Sequence, residues 1–180
     1  MTNTIEITPE LIAGCQSGNE YAYNQVYYGC AKGVFSSIIR IVKNKEEAED
    51  LLQETFLSAF KNIGSYRNEA SFFGWIKRIG INKSLNSLKK KKLEWSDAEI
   101  EKLNIEEEEE SKWDDIQFDV QTISNKMEKL SDGYRLVISL YLFEGYSHKE
   151  IANELGISES TSKTQYIRGK SKLRKLLITN

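Results

Sequence analysis

Apolar side chains recur along most of this chain at the three- and four-residue spacing of a helix, and few stretches alternate as a strand would. Thr8-Pro9-Glu10 reads as an N-cap, a proline at the first helical position and an acid in the first turn, opening a helix that ends near Gly18. A second helix is predicted from about Asn19 to Val42, its apolar side formed by Tyr23, Val26, Tyr27, Val34, Phe35, Ile38 and Ile41. Asn44 caps a third, Lys45 to about Ile63, whose inward stripe is Ala48, Leu51, Leu52, Thr55, Phe56, Ala59 and Ile63. Asp50, Gln53, Glu54 and Leu57 fall on another face of it. Gly64 then breaks the pattern and a short loop, Ser65 to Glu69, follows. A fourth helix runs from Ser71 to about Leu88, with Trp75, Ile79, Asn82 and Leu85 along one line. The periodicity vanishes between Glu94 and Asp115 and returns at Ile116, with Val120, Ile123, Met127 and Leu130. Ser131 or Asp132 opens the next helix, Gly133 to about Glu144, carrying Leu136, Val137, Leu140 and Phe143.

The segment that follows has the most specific local chemistry. Ser147 and Glu150 form an S-x-x-E capping box, and Ile151, Ala152 and Leu155 share one face behind it. Gly156 stands where a left-handed residue ends a helix, Ile157 plugs the turn and Ser158 caps the next helix. Helix, glycine turn and helix make a helix-turn-helix. Positions 162, 166, 169 and 173 of the second helix point inward by their spacing. Ser160, Thr161, Lys163, Thr164, Gln165 and Arg168 face out, where such side chains contact phosphates and base edges in a major groove.

Charge sharpens this picture. The chain's net charge is −2, but Glu94 to Asp119 holds twelve acids against two lysines. Lys61 to Lys92 has a net charge of +8, and Glu159 to Asn180 a net charge of +5. Two basic blocks flanking an acidic spacer imply two nucleic-acid contacts made by one chain. The unbroken run Glu106 to Glu110 marks the spacer as a flexible linker. The fold expected is therefore all-α: two small helical domains, 1–92 and 116–180, joined by an acidic linker at 93–115. One proline in 180 residues agrees with long helices. Nothing at the N-terminus reads as a signal peptide, and no apolar run approaches a membrane span. The two cysteines, Cys15 and Cys30, lack metal-ligand spacing and read as buried thiols in a cytoplasmic protein. His148 is the single histidine, so no catalytic or metal-binding residues and no cofactor are expected.

In the fourth helix aromatic and basic groups interleave: Trp75 lies among Arg67, Lys77, Arg78 and Lys83. Single-stranded bases need such a surface, a face to stack on and charge to hold phosphates. Phe72 and Phe73 read as core, and Trp75 fits a core role and a stacking role equally. The run Lys89 to Lys92 also suits a helix C-terminus.

Three blocks carry a family resemblance: Asp50-Leu-Leu-Gln-Glu-Thr-Phe56, Tyr66-Arg67 and Phe73-Gly-Trp75-Ile-Lys-Arg-Ile-Gly-Ile-Asn82. Together they resemble conserved region two of bacterial sigma factors, and Leu130 to Leu177 resembles their region four. With no room for a region three, the chain resembles the extracytoplasmic-function (ECF) group. The resemblance implies a non-catalytic promoter-specificity subunit of RNA polymerase. It implies that Asp50, Gln53 and Glu54 dock on the clamp coiled coil of core polymerase, while region four meets the flap. Tyr66, Arg67, Trp75, Arg78, Asn82 and Lys83 would melt and read the −10 element, Asn82 at the pocket for a flipped base. Ser160, Thr161, Lys163, Thr164, Gln165 and Arg168 would read the −35 element. The linker would thread the path of nascent RNA. Promoter DNA, core polymerase and an anti-sigma factor, usually membrane-spanning in this group, are the implied partners.

The chain departs from the family pattern at Ser162, Tyr166 and Gly169, where a small apolar residue, leucine and alanine are common. Gly169 in mid-helix costs about 1 kcal/mol relative to alanine, and Tyr166 is expected to fill the space it leaves. Two other functions compete. A free-standing helix-turn-helix regulator leaves Asp50 to Glu54 and the Trp75 surface without a task. A nucleic-acid enzyme needs clustered metal-binding carboxylates or a base in a cleft, and the acids here gather in the spacer.

Overall fold

The computed structural model describes residues 6–68, 70–90 and 120–178. Among them the helices are α1 (Pro9–Gln16), α2 (Glu20–Val42), α3 (Lys45–Lys61), α4 (Phe72–Lys90), α5 (Val120–Met127), α6 (Asp132–Ile138), α7 (His148–Leu155) and α8 (Glu159–Ile178). No strand occurs among the described residues. Short polar side chains start the first three helices by accepting otherwise unpaired backbone N–H groups. Thr8 Oγ1 accepts from Leu11 N–H at 3.4 Å, Asn19 Oδ1 from Ala22 N–H at 3.1 Å, and Asn44 Oδ1 from Glu47 N–H at 2.8 Å.

The apolar stripes of α2, α3 and α4 pack on one another, and α1 lies on α2. Val26, Val34, Ile38 and Ile41 of α2, Ala48 and Phe56 of α3, and Ile76, Ile81 and Leu85 of α4 are buried there. Leu85 is thus core, and the line begun by Trp75 and Ile79 reaches the surface only at Asn82. Cys15 and Cys30 are free and buried, as expected, and burial pushes the Cys30 thiol up to about 11. In the second half α5, α6 and α7 pack against α8, with Met127, Leu130, Ile138 and Leu173 buried between them.

Two features lie outside the expectation. The helix predicted over Gly133 to Glu144 stops being α at Ile138 and continues as a π-helical turn, Ser139–Phe143. The other feature is one that the sequence left open: the two halves pack directly together. Leu136, Val137, Leu140, Tyr146, Ile151 and Leu155 join the buried cluster that α2 and α4 build. Arg135, 3% exposed, donates to the carbonyls of Arg40 and Ile41, the latter at 3.0 Å. Those carbonyls belong to the last turn of α2, which has no intrahelical donors left for them. Asp132 Oδ1 holds Arg135 at 3.0 Å and Lys43 at 2.9 Å. Helical periodicity carries no signal for a partner 95 residues away. The expected linker, 93–115, lies outside the described residues, as do Lys91 and Lys92 at the end of the first expected domain.

Candidate nucleic-acid interface

The helix-turn-helix is built as its sequence requires. Ser147 N–H donates to Glu150 Oε2 at 2.9 Å, and Glu150 N–H donates to Ser147 Oγ at 3.2 Å, closing the capping box. Gly156 ends α7 at φ 69°, ψ 31°, a conformation that favours glycine. Ile157 N–H donates back to the Ala152 carbonyl at 3.1 Å. Ser158 Oγ accepts from Thr161 N–H at 3.0 Å and starts α8.

Along α8, Ser162, Gly169 and Leu173 are buried and Tyr166 is half-buried, so the inward spacing holds. Ser160, Lys163 and Thr164 are exposed, while Thr161 and Arg168 are half-buried. Lys163 Nζ lies 2.7 Å from Glu159 Oε1, and Thr164 Oγ1 donates to the Ser160 carbonyl at 2.9 Å. Gln165 turns inward: its Oε1 would lie 3.1 Å from a Cβ placed on Gly133. Ile167, not among the expected base readers, is 51% exposed beside Lys163 and Thr164. An apolar side chain there can meet a thymine methyl. Ile167 stands three and four residues from Thr164 and Lys163, so the three share one face of α8.

Three aromatic rings connect the elements of this half. His148 stacks on Tyr141 with centroids 4.5 Å apart and planes at 14°, and Tyr166 lies against both. His148 Nδ1 and the buried Ser162 Oγ share a hydrogen bond of 2.9 Å. Burial, and then the charge of Lys163, pushes His148 below its ordinary value, against a smaller opposing effect of Glu159. Tyr166 therefore does not fill the space at Gly169. Tyr134 and Ile138 of α6 do: a Cβ on Gly169 would lie 2.9 Å from Tyr134 Cβ and 2.8 Å from Ile138 Cδ1.

The second surface lies on α4 and the loop before it. Arg67, Arg78 and Asn82 are exposed, and Tyr66, Trp75 and Lys83 are half-buried. Trp75 stacks on buried Phe72 at 5.5 Å and 23°, and Tyr66 meets Phe72 edge-on and tilts against Trp75. The Tyr66 hydroxyl donates to the Ala70 carbonyl at 2.8 Å. One side of the indole is thus part of a packed aromatic cluster. On the outer side of α3, Asp50, Gln53 and Glu54 are exposed together with Leu57. Glu54 Oε2 meets Lys83 Nζ at 3.3 Å, joining the α3 and α4 surfaces. Among the described residues no group of three or more His, Cys, Asp and Glu side chains could hold a metal ion, and no helix is long and apolar enough to cross a membrane.

Comparison with known proteins matches a sigma-70 region 2 model over residues 29–94 and a sigma-70 region 4 model over residues 121–173. Over 172 residues the chain is 31% identical to the ECF RNA polymerase sigma factor SigW of Bacillus subtilis, covering 90% of this chain and 92% of SigW. The chain belongs to the sigma-70 family, in its ECF group. It is a promoter-recognising transcription initiation factor. It is also 24% identical over 187 residues to the RNA polymerase sigma-H factor of Pseudomonas aeruginosa, across 97% of this chain and 95% of that one. Among solved structures it shares its fold with the sigma factor RpoE of Bartonella quintana, crystallised with the anti-sigma factor NepR. The TM-score there is 0.54 at 22% identity, covering 88% of this chain and 98% of RpoE. CnrH, solved in complex with the cytosolic domain of CnrY, matches with a TM-score of 0.53 at 21% identity over 96% of this chain and 97% of CnrH.

Proposed function

We propose that this ECF sigma factor is a non-catalytic, cytoplasmic subunit that loads core polymerase onto promoters through three separate surfaces. Residues 1–92 form the region 2 domain, 93–115 the linker along the RNA path, and 116–180 the region 4 domain. Asp50, Gln53 and Glu54 dock on the clamp coiled coil, with exposed Leu57 among them, and region 4 meets the flap. Tyr66, Arg67, Trp75, Arg78, Asn82 and Lys83 melt and read the −10 element. Ser160, Thr161, Lys163, Thr164 and Arg168 read or hold the −35 element, and Gln165 acts from the edge of that surface. An anti-sigma factor is a further partner, by analogy with the complexes of RpoE and CnrH.

The observation that carries this reading is the pairing of a capped helix-turn-helix with a second, aromatic and basic surface on α4 of the same chain. A duplex-binding regulator needs only the first. The experiment is core binding without DNA. Asp50→Lys with Glu54→Lys reverses two exposed charges, so helicity is kept and affinity for core polymerase is lost. Undiminished affinity in the double variant refutes the docking assignment.

A further inference from the structure

Among the described residues of α8, Ser162 is the only polar side chain that is buried. A hydroxyl enclosed there destabilises the fold unless it finds a partner. Buried Ser37 and Ser84 find theirs within their own helices, donating to the Gly33 and Gly80 carbonyls at 3.4 and 2.8 Å. Ser162 instead reaches another helix: its Oγ shares a hydrogen bond of 2.9 Å with His148 Nδ1, in the first turn of α7. The imidazole is held from other sides as well. Tyr141, in the π-helical turn, stacks on it at 4.5 Å, and Tyr166 of α8 meets it edge-on at 5.7 Å. Tyr141 and Tyr166 lie 4.7 Å apart, which closes the triangle of rings. One side chain thus ties α7 and the π-turn to two points of α8 that are one helical turn apart.

Those two points alternate with the residues on the outward face. Ser162 lies between Thr161 and Lys163, and Tyr166 between Gln165 and Ile167. The buried face of α7, formed by Ile151, Ala152 and Leu155, is apolar. Apolar packing resists separation without fixing a direction, whereas a hydrogen bond between two helices has one. Side chains reach about 5–6 Å from a helix axis, so turning α8 by about 10° moves their tips by about 1 Å. A binding site tolerates about 0.5 Å. We infer that His148 is a positioning residue for −35 recognition: through Ser162 and Tyr166 it sets the rotation of α8 in the groove, and so the bases that Thr164 and Ile167 select. It acts from behind the reading surface and touches no base itself. The inference rests on the −35 assignment above and adds to it a residue outside α8.

The test uses holoenzyme made from the full chain and core polymerase, transcribing fragmented genomic DNA. Mapped RNA 5′ ends give the bases favoured in the −35 and −10 blocks. His148→Phe keeps a ring on Tyr141 and removes Nδ1, while Ser162→Ala removes the same hydrogen bond from the α8 side. Each is expected to lower the advantage of a favoured −35 base by about tenfold and to leave the −10 block unchanged. The double variant should lose no more than either single one, because both break one bond. His148→Asn, which returns a hydrogen-bonding atom near the place of Nδ1, should lie closer to wild type than His148→Phe does. Unmoved −35 preference in Ser162→Ala overturns the proposal, and that variant decides the matter if His148→Phe does not fold by circular dichroism. Equal loss at every start site with a flatter salt dependence also overturns it, since that is the mark of a phosphate contact. So do losses that add in the double variant, or an asparagine variant no closer to wild type than the phenylalanine one. Failure of the −35 assignment looks different: wild-type start sites then share no −35 block at all, whereas failure of this proposal leaves the block in place and unmoved.

Discussion

Replacing Gly169 with alanine gives the chain the residue common in its family and opposes two effects of known size. Alanine in place of glycine inside a helix is worth about 1 kcal/mol in favour of α8. The added Cβ, however, enters a closed contact: Tyr134 Cβ at 2.9 Å, Ile138 Cδ1 at 2.8 Å and the Tyr134 Cα at 3.4 Å. The isoleucine methyl can rotate away, but Tyr134 Cβ and Cα move only with the backbone of α6. Overpacking of this kind costs about 1–3 kcal/mol, so the net effect expected is a loss of about 0–2 kcal/mol. Urea denaturation of wild type and Gly169→Ala measures it. The Ile138→Val background removes one of the two clashing atoms and should make the substitution less harmful, a coupling that a double-mutant cycle reports. Stabilisation by about 1 kcal/mol in the wild-type background, as propensity alone dictates, would refute the close α6–α8 approach.

His148 gives a pH dependence whose sign follows from its environment. Its folded value lies below the ordinary 6.5, chiefly through burial, so the unfolded chain takes up the proton first. Stability is therefore lost as pH falls below about 6.5, and His148→Gln should flatten that slope between about pH 7 and 5 in urea titrations; an unchanged slope contradicts the downward shift of the half-buried ring. On α8, Lys163→Ala should weaken binding to every duplex and reduce its salt dependence, while Ile167→Ala should alter preference at one −35 base pair by about 1–3 kcal/mol. Equal loss on all sequences for Ile167→Ala removes it from base reading. Gln165→Ala should affect stability more than base preference, because Gln165 packs over Gly133; the pattern reversed would return it to the reading face.

Much of the fold was legible because its signals are local. Caps at Thr8, Asn44 and Ser147 act within four residues, and Gly156 marks the one turn in the motif that needs a positive φ. The inward stripes of α2, α3 and α4 are the same physics repeated over longer stretches. What escaped the sequence is non-local. Lys43 ends α2 at φ 64° although it is not a glycine, and its side chain reaches Asp132 in the other half. The π-turn at Ser139–Phe143 carries no residue that announces it. Arg135 and Glu144 find their partners on α2 and α4, far away in sequence, where no local pattern points. On α8 the helical period separates Ser162, Gly169 and Leu173, which are buried, from Ser160, Lys163 and Thr164, which are exposed, but it does not distinguish inward-turned Gln165 from exposed Ile167.

The central claim is that one chain reads two promoter elements while bound to polymerase. It is tested most directly by transcribing fragmented genomic DNA with core polymerase, with and without this chain, and mapping the RNA 5′ ends. The account predicts start sites that appear only with the chain and share two upstream sequence blocks at a fixed separation, lost when Asp50 and Glu54 are both replaced by lysine. Start sites identical to those of core polymerase alone, or sharing a single block recognised equally well without Asp50 and Glu54, would contradict it.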